Sequence, residues 1–250
     1  MNKSGLILVI PTYNEIGSLP TLLQQIIRAL PRCHILFVDD GSKDGTLEFI
    51  ENQIVGRDQF FVLSRTKKLG LGTAYRDGFN WAVNSGYQWV GQMDADGSHQ
   101  VSDLVMMFNK LSRGLNCDLI IGSRWIPGGK ILNWPKSREV LSKCANFYAR
   151  KTLNFKIFDS TAGFRIYSSN ALRLINFNET KCQGYGFQIE MSFAASCSQL
   201  TIHEHPITFI ERVEGRSKMT KGIVIEAFFR VLALRIFKRH QVMKLINEIK

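Results

Sequence analysis

The chain has 250 residues, enough to bury one sizeable hydrophobic core and too few to require a second domain. Apolar residues make up 45% and charged residues 21% of the sequence, which excludes an intrinsically disordered protein. The five cysteines are widely spaced and form no Cys-x-x-Cys pair. This pattern favours reduced thiols over a disulfide framework or a structural zinc site.

The net charge of +11 is concentrated in the second half of the chain. Residues 1–120 carry 11 Lys and Arg against 12 Asp and Glu, whereas residues 121–250 carry 21 against 9. A basic half attracts a nucleic acid, an anionic membrane or a phosphorylated substrate, with a solvated surface as the alternative. We expect no nucleic-acid partner, because the sequence has no helix-turn-helix, zinc-finger or RNA-recognition pattern.

The first half alternates short apolar runs with helical stretches. The apolar runs predict strands at Gly5–Pro11, His34–Val38, Phe60–Leu63, Gln88–Met93 and Asp118–Gly122. The stretches between them predict helices across Ile16–Leu30, from about Asp44, and across Gly72–Ser85. Strands without polar alternation, separated by helices, are typical of an α/β fold with a parallel sheet covered on both faces. Ligands bind such sheets beyond the carboxyl ends of the strands, so the polar clusters found there are expected to form one site.

The second half is less regular. We predict helices at Arg138–Leu153 and Phe187–Ser198, a turn at Asp159–Gly163 and a strand at Thr201–Ile210. The apolar segment Ile223–Phe237 is too short and too charged to span a membrane. It is expected either to lie at a membrane interface or to dock on the core. The predicted organisation is therefore a catalytic domain over residues 1–219 and a basic, partly apolar segment over 220–250.

The acidic turn Asp94-Ala95-Asp96 follows a hydrophobic strand and is the central chemical feature of the sequence. Two carboxylates two residues apart can bind one hard divalent cation, Mg²⁺ or Mn²⁺, which usually keeps waters and also binds substrate phosphates. A simple Asx-type turn is the alternative, since Asp and Gly are favoured in turns. An EF-hand is excluded, because its fifth loop position is Ser98 and Gly97 comes two positions early.

Two other polar segments lie at neighbouring strand ends: residues 11–15, Pro-Thr-Tyr-Asn-Glu, and residues 38–46, which begin Val-Asp-Asp-Gly-Ser. Carboxylates and backbone groups at such ends can hydrogen-bond a nucleobase and a ribose. The sequence has no Gly-x-x-x-x-Gly-Lys-[Ser/Thr] loop, and Gly70-Leu71-Gly72 lacks the third glycine of a dinucleotide fingerprint. A diphosphate would therefore be held by a metal and by arginines.

Together these motifs resemble those of the inverting glycosyltransferases with a GT-A fold, in particular the dolichol-phosphate mannosyltransferase (polyprenyl-monophosphomannose synthase) family. The resemblance extends from Pro11 to about Lys218. Its further motifs are Gly122-Ser123-Arg124, Arg138 with Ser142 and Asn146, Asp159–Arg165, Gly184–Glu190 and Arg212–Lys218. It implies a GT-A, Rossmann-like fold: a mostly parallel sheet flanked by helices in a single catalytic domain.

The resemblance also implies roles for individual residues. The nucleotide-sugar would be bound by Pro11, Tyr13, Glu15, Val38, Asp40, Asp94, Ala95, Asp96, Arg124, Arg212 and Lys218. A divalent metal, Mg²⁺ or Mn²⁺, would be held by Asp94, Asp96 and Ser98, where some members carry glutamine in place of the serine. The acceptor's lipid phosphate would be bound by Arg124, Arg138, Ser142 and Arg212. Catalysis would depend most on Asp96, Arg124, Arg212 and Lys218.

The reaction implied is transfer of mannose from GDP-mannose to polyprenyl (dolichyl) phosphate with inversion, which gives a β-linked product. A phosphate with a second pKa near roughly 6 is mostly dianionic at neutral pH and needs little help from a general base. Basic side chains would offset its repulsion from the donor diphosphate. The alternatives are a polyprenyl-phosphate glucosyltransferase that uses UDP-glucose and a non-catalytic module that binds nucleotide-sugars or phospholipids.

The predicted location is peripheral, on the cytoplasmic face of a membrane. The N-terminus has no small-residue cleavage site, so no signal peptide is expected, and no segment fits a transmembrane helix. Attachment to the membrane surface would come from the basic half, from residues 221–250, or from a separate membrane-anchoring protein. Each Lys or Arg near an anionic leaflet contributes about 1 kcal/mol to such attachment.

Overall fold

The computed structural model describes residues 3–180, 182, 184–211 and 228–236. The strands are β1 (Lys3–Thr12), β2 (His34–Asp39), β3 (Phe60–Ser64), β4 (Tyr87–Gln92), β5 (Leu119–Ser123), β6 (Lys130–Leu132), β7 (Arg165–Ser168), β8 (Ile202–Pro206) and β9 (Thr208–Ile210). The helices are α1 (Leu19–Ala29), α2 (Thr46–Ile54), α3 (Leu71–Asn84), α4 (Val101–Ser112), α5 (Lys136–Leu153), α6 (Ser169–Ile175) and α7 (Tyr185–Cys197). Residues 228–236 are also helical.

Within the described residues, seven strands form one sheet in the order β3-β2-β1-β4-β7-β5-β8. The neighbours β3, β2, β1 and β4 are parallel, β7 runs antiparallel between β4 and β5, and β8 is parallel to β5. Strands β6 and β9 form a separate parallel pair. The prediction of an α/β fold with a mostly parallel sheet is confirmed.

Both faces of the sheet are covered, which explains the absence of polar alternation in its strands. In β1, Ile7 and Val9 belong to the hydrophobic cluster that includes α3, whereas Leu8 and Ile10 belong to the cluster that includes α1 and α4. Helix α3 lies very close to the sheet at Gly78, where an added Cβ would come within 2.3 Å of a Val9 methyl carbon. Only glycine fits there without a shift of the helix or the strand.

Several elements differ from the sequence prediction. The predicted strand Thr201–Ile210 is two strands, β8 and β9, separated at Ile207, whose backbone bonds Ser123 and Lys130. Strands β6 and β7 and helices α4 and α6 were not predicted. Helix α4 carries a clear signal for a helix, because its buried residues Val101, Leu104, Met107 and Leu111 follow helical spacing.

The described part of the C-terminal segment docks on the core with one face. Val231 and Leu234 are buried and join the cluster around α3, whereas Phe228, Phe229 and Leu232 are exposed. The ring of Phe228 stacks on Tyr148 of α5 at a centroid distance of 4.7 Å. The rest of the predicted segment 220–250 lies outside the described residues. Among the helices that the structure describes, none is both long enough and apolar enough to cross a membrane.

Candidate active site

A cleft of about 350 Å³ opens at the carboxyl ends of β1, β2 and β4. It contains most of the side chains that the sequence predicted for the site. Those that line it are Pro11, Tyr13, Glu15, Asp40, Asp94, Ala95, Asp96, Ser98, Arg124 and Arg138. The carboxyl ends of the strands therefore bring together residues that lie more than 110 positions apart in the chain, from Pro11 to Arg124.

Four predicted site residues lie elsewhere or are not described. The Val38 side chain is fully buried in the core between β2 and α3. Ser142 lies on α5, where its backbone carbonyl accepts a hydrogen bond from the Asn146 amide at 3.0 Å, and it does not line the described cleft. Arg212 and Lys218 lie outside the described residues. The binding roles of these residues stay predictions.

Asp40 fixes the loop that leads into α3. Its carboxylate accepts hydrogen bonds from the backbone N–H groups of Leu69 and Gly70 at 2.9 and 2.8 Å and from Arg65 at 3.0 Å. Burial alone would raise the pKa of Asp40, but these donors together lower it below its ordinary value. The loop thus held places Lys68 in the cleft, with its ammonium 4.0 Å from the centre of the Tyr13 ring. Sequence analysis missed Lys68.

The loops after β1 and β2 are braced against each other. The buried Asp39 carboxylate accepts hydrogen bonds from the hydroxyls of Thr12 at 2.8 Å and Ser42 at 2.6 Å. Asn14 adopts a left-handed conformation, with φ of 56°, and its side-chain oxygen accepts a bond from the Lys43 backbone at 2.9 Å. Short polar side chains that bond nearby backbone groups explain why this sequence forms two ordered turns here.

Hydrogen-bond donors orient both carboxylates of the acidic turn. The buried Tyr75 hydroxyl of α3 donates to Asp94 at 2.9 Å. The backbone N–H and the hydroxyl of Ser98 donate to one oxygen of Asp96 at 3.1 and 2.6 Å. Burial, and then the adjacent charge of Asp94, raise the pKa of Tyr75 well above its ordinary value, so the hydroxyl stays protonated and keeps donating. Gly97 makes the turn, with φ of 75°.

The acidic turn fits a divalent cation in its donor chemistry. Asp94 and Asp96 supply hard carboxylate oxygens at the cleft, in orientations that Tyr75 and Ser98 fix. Across the described ranges, no group of three or more His, Cys, Asp or Glu side chains forms a metal cage. A cation at these carboxylates would therefore complete its coordination with waters and substrate phosphates, as Mg²⁺ usually does. The Ser98 hydroxyl donates to Asp96, and its role as a metal ligand stays a prediction.

His99 supports the acidic turn from behind. Its Nδ1 accepts a hydrogen bond from the Asp94 backbone N–H at 3.3 Å, and its ring stacks on Phe164 at 4.7 Å. Burial lowers the pKa of His99 to about 4, against the carboxylate of Asp96, which would raise it. The imidazole is therefore neutral near pH 7, with its proton on Nε2.

Arg124 and Asp159 form a buried bidentate pair beside the cleft. Arg124 donates from Nε and Nη2 to the two carboxylate oxygens, each at 2.7 Å, and Nη2 also reaches the Thr161 hydroxyl at 2.9 Å. Asp159 is fully buried, and only 7% of Arg124 is exposed. This fork geometry fixes the guanidinium where it lines the cleft.

One wall of the cleft includes aromatic residues that the sequence analysis did not identify. The Arg138 guanidinium lies 4.1 Å from the centre of the Trp134 ring and also donates to Glu211. Phe209 of β9 lies against Trp134 at 5.3 Å. All four residues line the cleft. The wall depends on the pairing of β6 with β9, which brings together segments almost 80 residues apart.

Sequence comparisons identify the family. The model of the family described as Glycosyl transferase family 2 matches residues 7–175. An undecaprenyl-phosphate mannosyltransferase from Micrococcus luteus is 44% identical over 223 residues, which cover 89% of this chain and 90% of that protein. A polyprenol monophosphomannose synthase from Mycolicibacterium smegmatis is 43% identical over 226 residues, which cover 90% of this chain and 84% of that protein. The chain belongs to glycosyl transferase family 2, and it is a glycosyltransferase.

Solved structures share the fold. Glucosyl-3-phosphoglycerate synthase from Mycobacterium tuberculosis matches with a TM-score of 0.67 in complex with phosphoglyceric acid. Its complex with Mn²⁺, UDP and glucosyl-3-phosphoglycerate matches with a TM-score of 0.66. Both are 15% identical and cover 92% of this chain and 79% of theirs. The predicted GT-A architecture is confirmed.

Proposed function

We propose that the chain transfers mannose from GDP-mannose to a polyprenyl phosphate, with inversion at the anomeric carbon. The main support is the 43–44% identity, over about nine-tenths of the chain, to enzymes named for mannose transfer to polyprenyl phosphates. The cleft supplies matching chemistry, because the polar ends of strands, an acidic pair and two arginines line one space. GDP-mannose as the donor and inversion as the outcome follow from the family resemblance.

Different residues of the cleft would bind the nucleoside, the diphosphate and the acceptor phosphate in such a reaction. Tyr13, Glu15 and Asp40 would bind the nucleoside, and the acidic turn lines the same cleft. A divalent cation held by Asp94 and Asp96 would neutralise the donor diphosphate and stabilise it as the leaving group. Arg124 and Arg138 would attract and orient the acceptor phosphate, whose dianion attacks without a strong general base.

We also propose that the enzyme meets its lipid acceptor through an exposed surface formed by α5, the loop after it and the C-terminal helix, called here the α5 surface. This α5 surface comprises Phe147, Phe158, Phe228 and Phe229, all of them exposed. The guanidinium of Arg150 lies 4.5 Å from the centre of the Phe158 ring. Aromatic side chains interleaved with cations suit an anionic membrane interface. Helix α5 also carries Arg138 in its first turn, so this surface leads to the cleft.

Replacing Phe147 and Phe229 together by glutamate is expected to weaken binding to anionic phospholipid vesicles by about 10-fold or more, since each buried Phe side chain is worth about 1.5–3 kcal/mol. Co-sedimentation with phosphatidylglycerol vesicles measures the effect. Val55→Glu is the control for an added surface charge, because Val55 is also apolar, is 78% exposed and lies on the loop after α2. Equal binding by the wild type and the double variant would contradict the proposed surface.

The proposed reaction is tested by incubating the enzyme with polyprenyl phosphate, Mg²⁺ or Mn²⁺, and labelled GDP-mannose or UDP-glucose. Label from GDP-mannose in the solvent-extractable lipid, abolished by EDTA, is the expected result. Label only from UDP-glucose would keep the reaction type and change the donor. Absence of labelled lipid with either donor, from a folded enzyme with suitable membranes, would refute a lipid-phosphate acceptor.

A further inference from the structure

Gln188 of α7 has a buried side-chain amide whose hydrogen-bonding groups are not used within the described part of the chain. The residue is 2% exposed and lines the cleft. Neither its amide nitrogen nor its amide oxygen has a hydrogen-bond partner in the described part of the chain. A buried amide without partners destabilises a fold, so native proteins keep one only rarely and for a reason.

The backbone around Gln188 is held firmly. Its carbonyl accepts hydrogen bonds from the buried guanidinium of Arg165 at 3.1 Å and from the Ser192 hydroxyl at 2.8 Å. Arg165 also donates to the carbonyl oxygens of Ser160 and Ala162, at 2.9 Å each. The same guanidinium therefore fixes both α7 and the loop before β7. A rigid support of this kind is what a precise hydrogen-bonding group requires.

Gly163 lies between the acidic turn and the amide of Gln188. A Cβ added there would lie 3.4 Å from an Asp94 carboxylate oxygen and 3.7 Å from the amide nitrogen of Gln188. The position of Gly163 is therefore bordered by the acidic turn on one side and by the amide on the other. A group bound at the acidic turn would have its next atoms beside Gln188.

The order of strands in the sheet indicates which part of a nucleotide-sugar donor would lie beside Gln188 and Gly163. Across the sheet, β2 and β1 carry the residues proposed to bind the nucleoside, β4 carries the acidic turn, and β7 follows next with the loop that contains Gly163. A nucleoside diphosphate sugar is built in the same order: nucleoside, diphosphate, hexose. With the nucleoside at β1 and β2 and the diphosphate at Asp94 and Asp96, the hexose falls next to Gln188.

We propose that Gln188 binds hydroxyl groups of the transferred hexose and determines which hexose the enzyme accepts; this inference rests on the proposed use of a nucleotide-sugar donor. One amide presents a donor and an acceptor side by side, which matches adjacent sugar hydroxyls. A neutral amide is poorly suited to a phosphate dianion, for which the cleft has arginines. A site that hydrogen-bonds a substrate hydroxyl discriminates strongly against an analogue without that hydroxyl, because the buried polar groups of the site then stay unpaired.

The test compares wild type and Gln188→Leu with GDP-mannose and with each monodeoxy analogue of its mannosyl group. The wild type should prefer GDP-mannose over at least one analogue by about 10²-fold or more in kcat/KM, and the variant should lose most of that preference. Affinity for GDP alone should not change. Thermal stability should stay equal or rise, because leucine removes an unpaired buried amide. Gln188→Met, of similar length, is a second apolar variant.

Gln24→Leu on the exposed face of α1 is the matched control and should keep the wild-type preference. If Gln188→Leu slows all donors by one common factor, or unfolds at a lower temperature with its preference intact, the residue is structural and the inference is overturned. Absence of labelled lipid from the wild type would refute the proposed reaction instead. Calorimetric affinities for GDP-mannose and its deoxy analogues would then still decide the role of Gln188, and equal affinities would overturn it.

Discussion

Asp96→Asn is expected to lower kcat/KM for mannose transfer by about 10³-fold, equivalent to about 4 kcal/mol of transition-state stabilisation. The substitution removes a negative charge from the acidic turn, where two carboxylates would hold a cation against the donor diphosphate. The local fold should persist, because asparagine keeps an oxygen that can accept both bonds from Ser98. Transfer of labelled mannose at increasing Mn²⁺ and Mg²⁺ concentrations measures the effect.

Asp58→Asn makes the same chemical change at an exposed position far from the cleft and should leave transfer unaltered. Circular dichroism and thermal unfolding should be the same for both variants and for the wild type. An Asp96→Asn enzyme with full activity, or activity that EDTA does not affect, would contradict a metal-binding role for the acidic turn.

Arg124→Met is expected to destabilise the fold by about 3–5 kcal/mol, because it leaves the buried carboxylate of Asp159 without its paired charge. For a chain of this size, each kcal/mol lowers the unfolding temperature by about 2–4 °C, so differential scanning calorimetry resolves the loss easily. Arg124→Lys keeps the charge but loses the bidentate fork, and should fall between the wild type and Arg124→Met in stability.

The double variant Arg124→Met/Asp159→Leu separates stability from activity. Replacing both charges of a buried pair by apolar groups often costs little stability, so much of the lost unfolding temperature should return. Activity should not return, because Arg124 lines the cleft where an acceptor phosphate would bind. Recovery of both together would assign a purely structural role to the pair.

The strands of the first half were predictable because each is a short apolar run, and β1, β2 and β5 are buried on both faces of the sheet. Strand β7 was not, since Arg165–Ser168 is only four residues long and begins with an arginine. Its antiparallel place between β4 and β5 depends on pairings with strands 40 or more residues away. Helix α4 was missed although its apolar spacing is helical, so the signal was present in the sequence but not used.

Some residues of the cleft were also predictable from the sequence, and others were not. Tyr13, Asp40 and Asp94 were predictable because the ends of parallel strands meet at one edge of the sheet. Trp134 and Phe209 were not, because the pairing of β6 with β9 brings them there. Local sequence also gave no sign that Asp159 would hold Arg124 through two hydrogen bonds, since that contact spans 35 residues.

The close contact of α3 with the sheet at Gly78 couples the interior of the protein to its chemistry. The same helix carries Tyr75, whose hydroxyl orients Asp94, so a shift of α3 also moves a donor of the acidic turn. A substitution that changes how α3 packs on the sheet therefore also changes the orientation of the acidic turn. The first turn of α7 is joined to the same element, because the ring of Phe187 stacks on Tyr75 at a centroid distance of 6.0 Å, so a change in the turn that carries Gln188 also reaches the donor of the acidic turn.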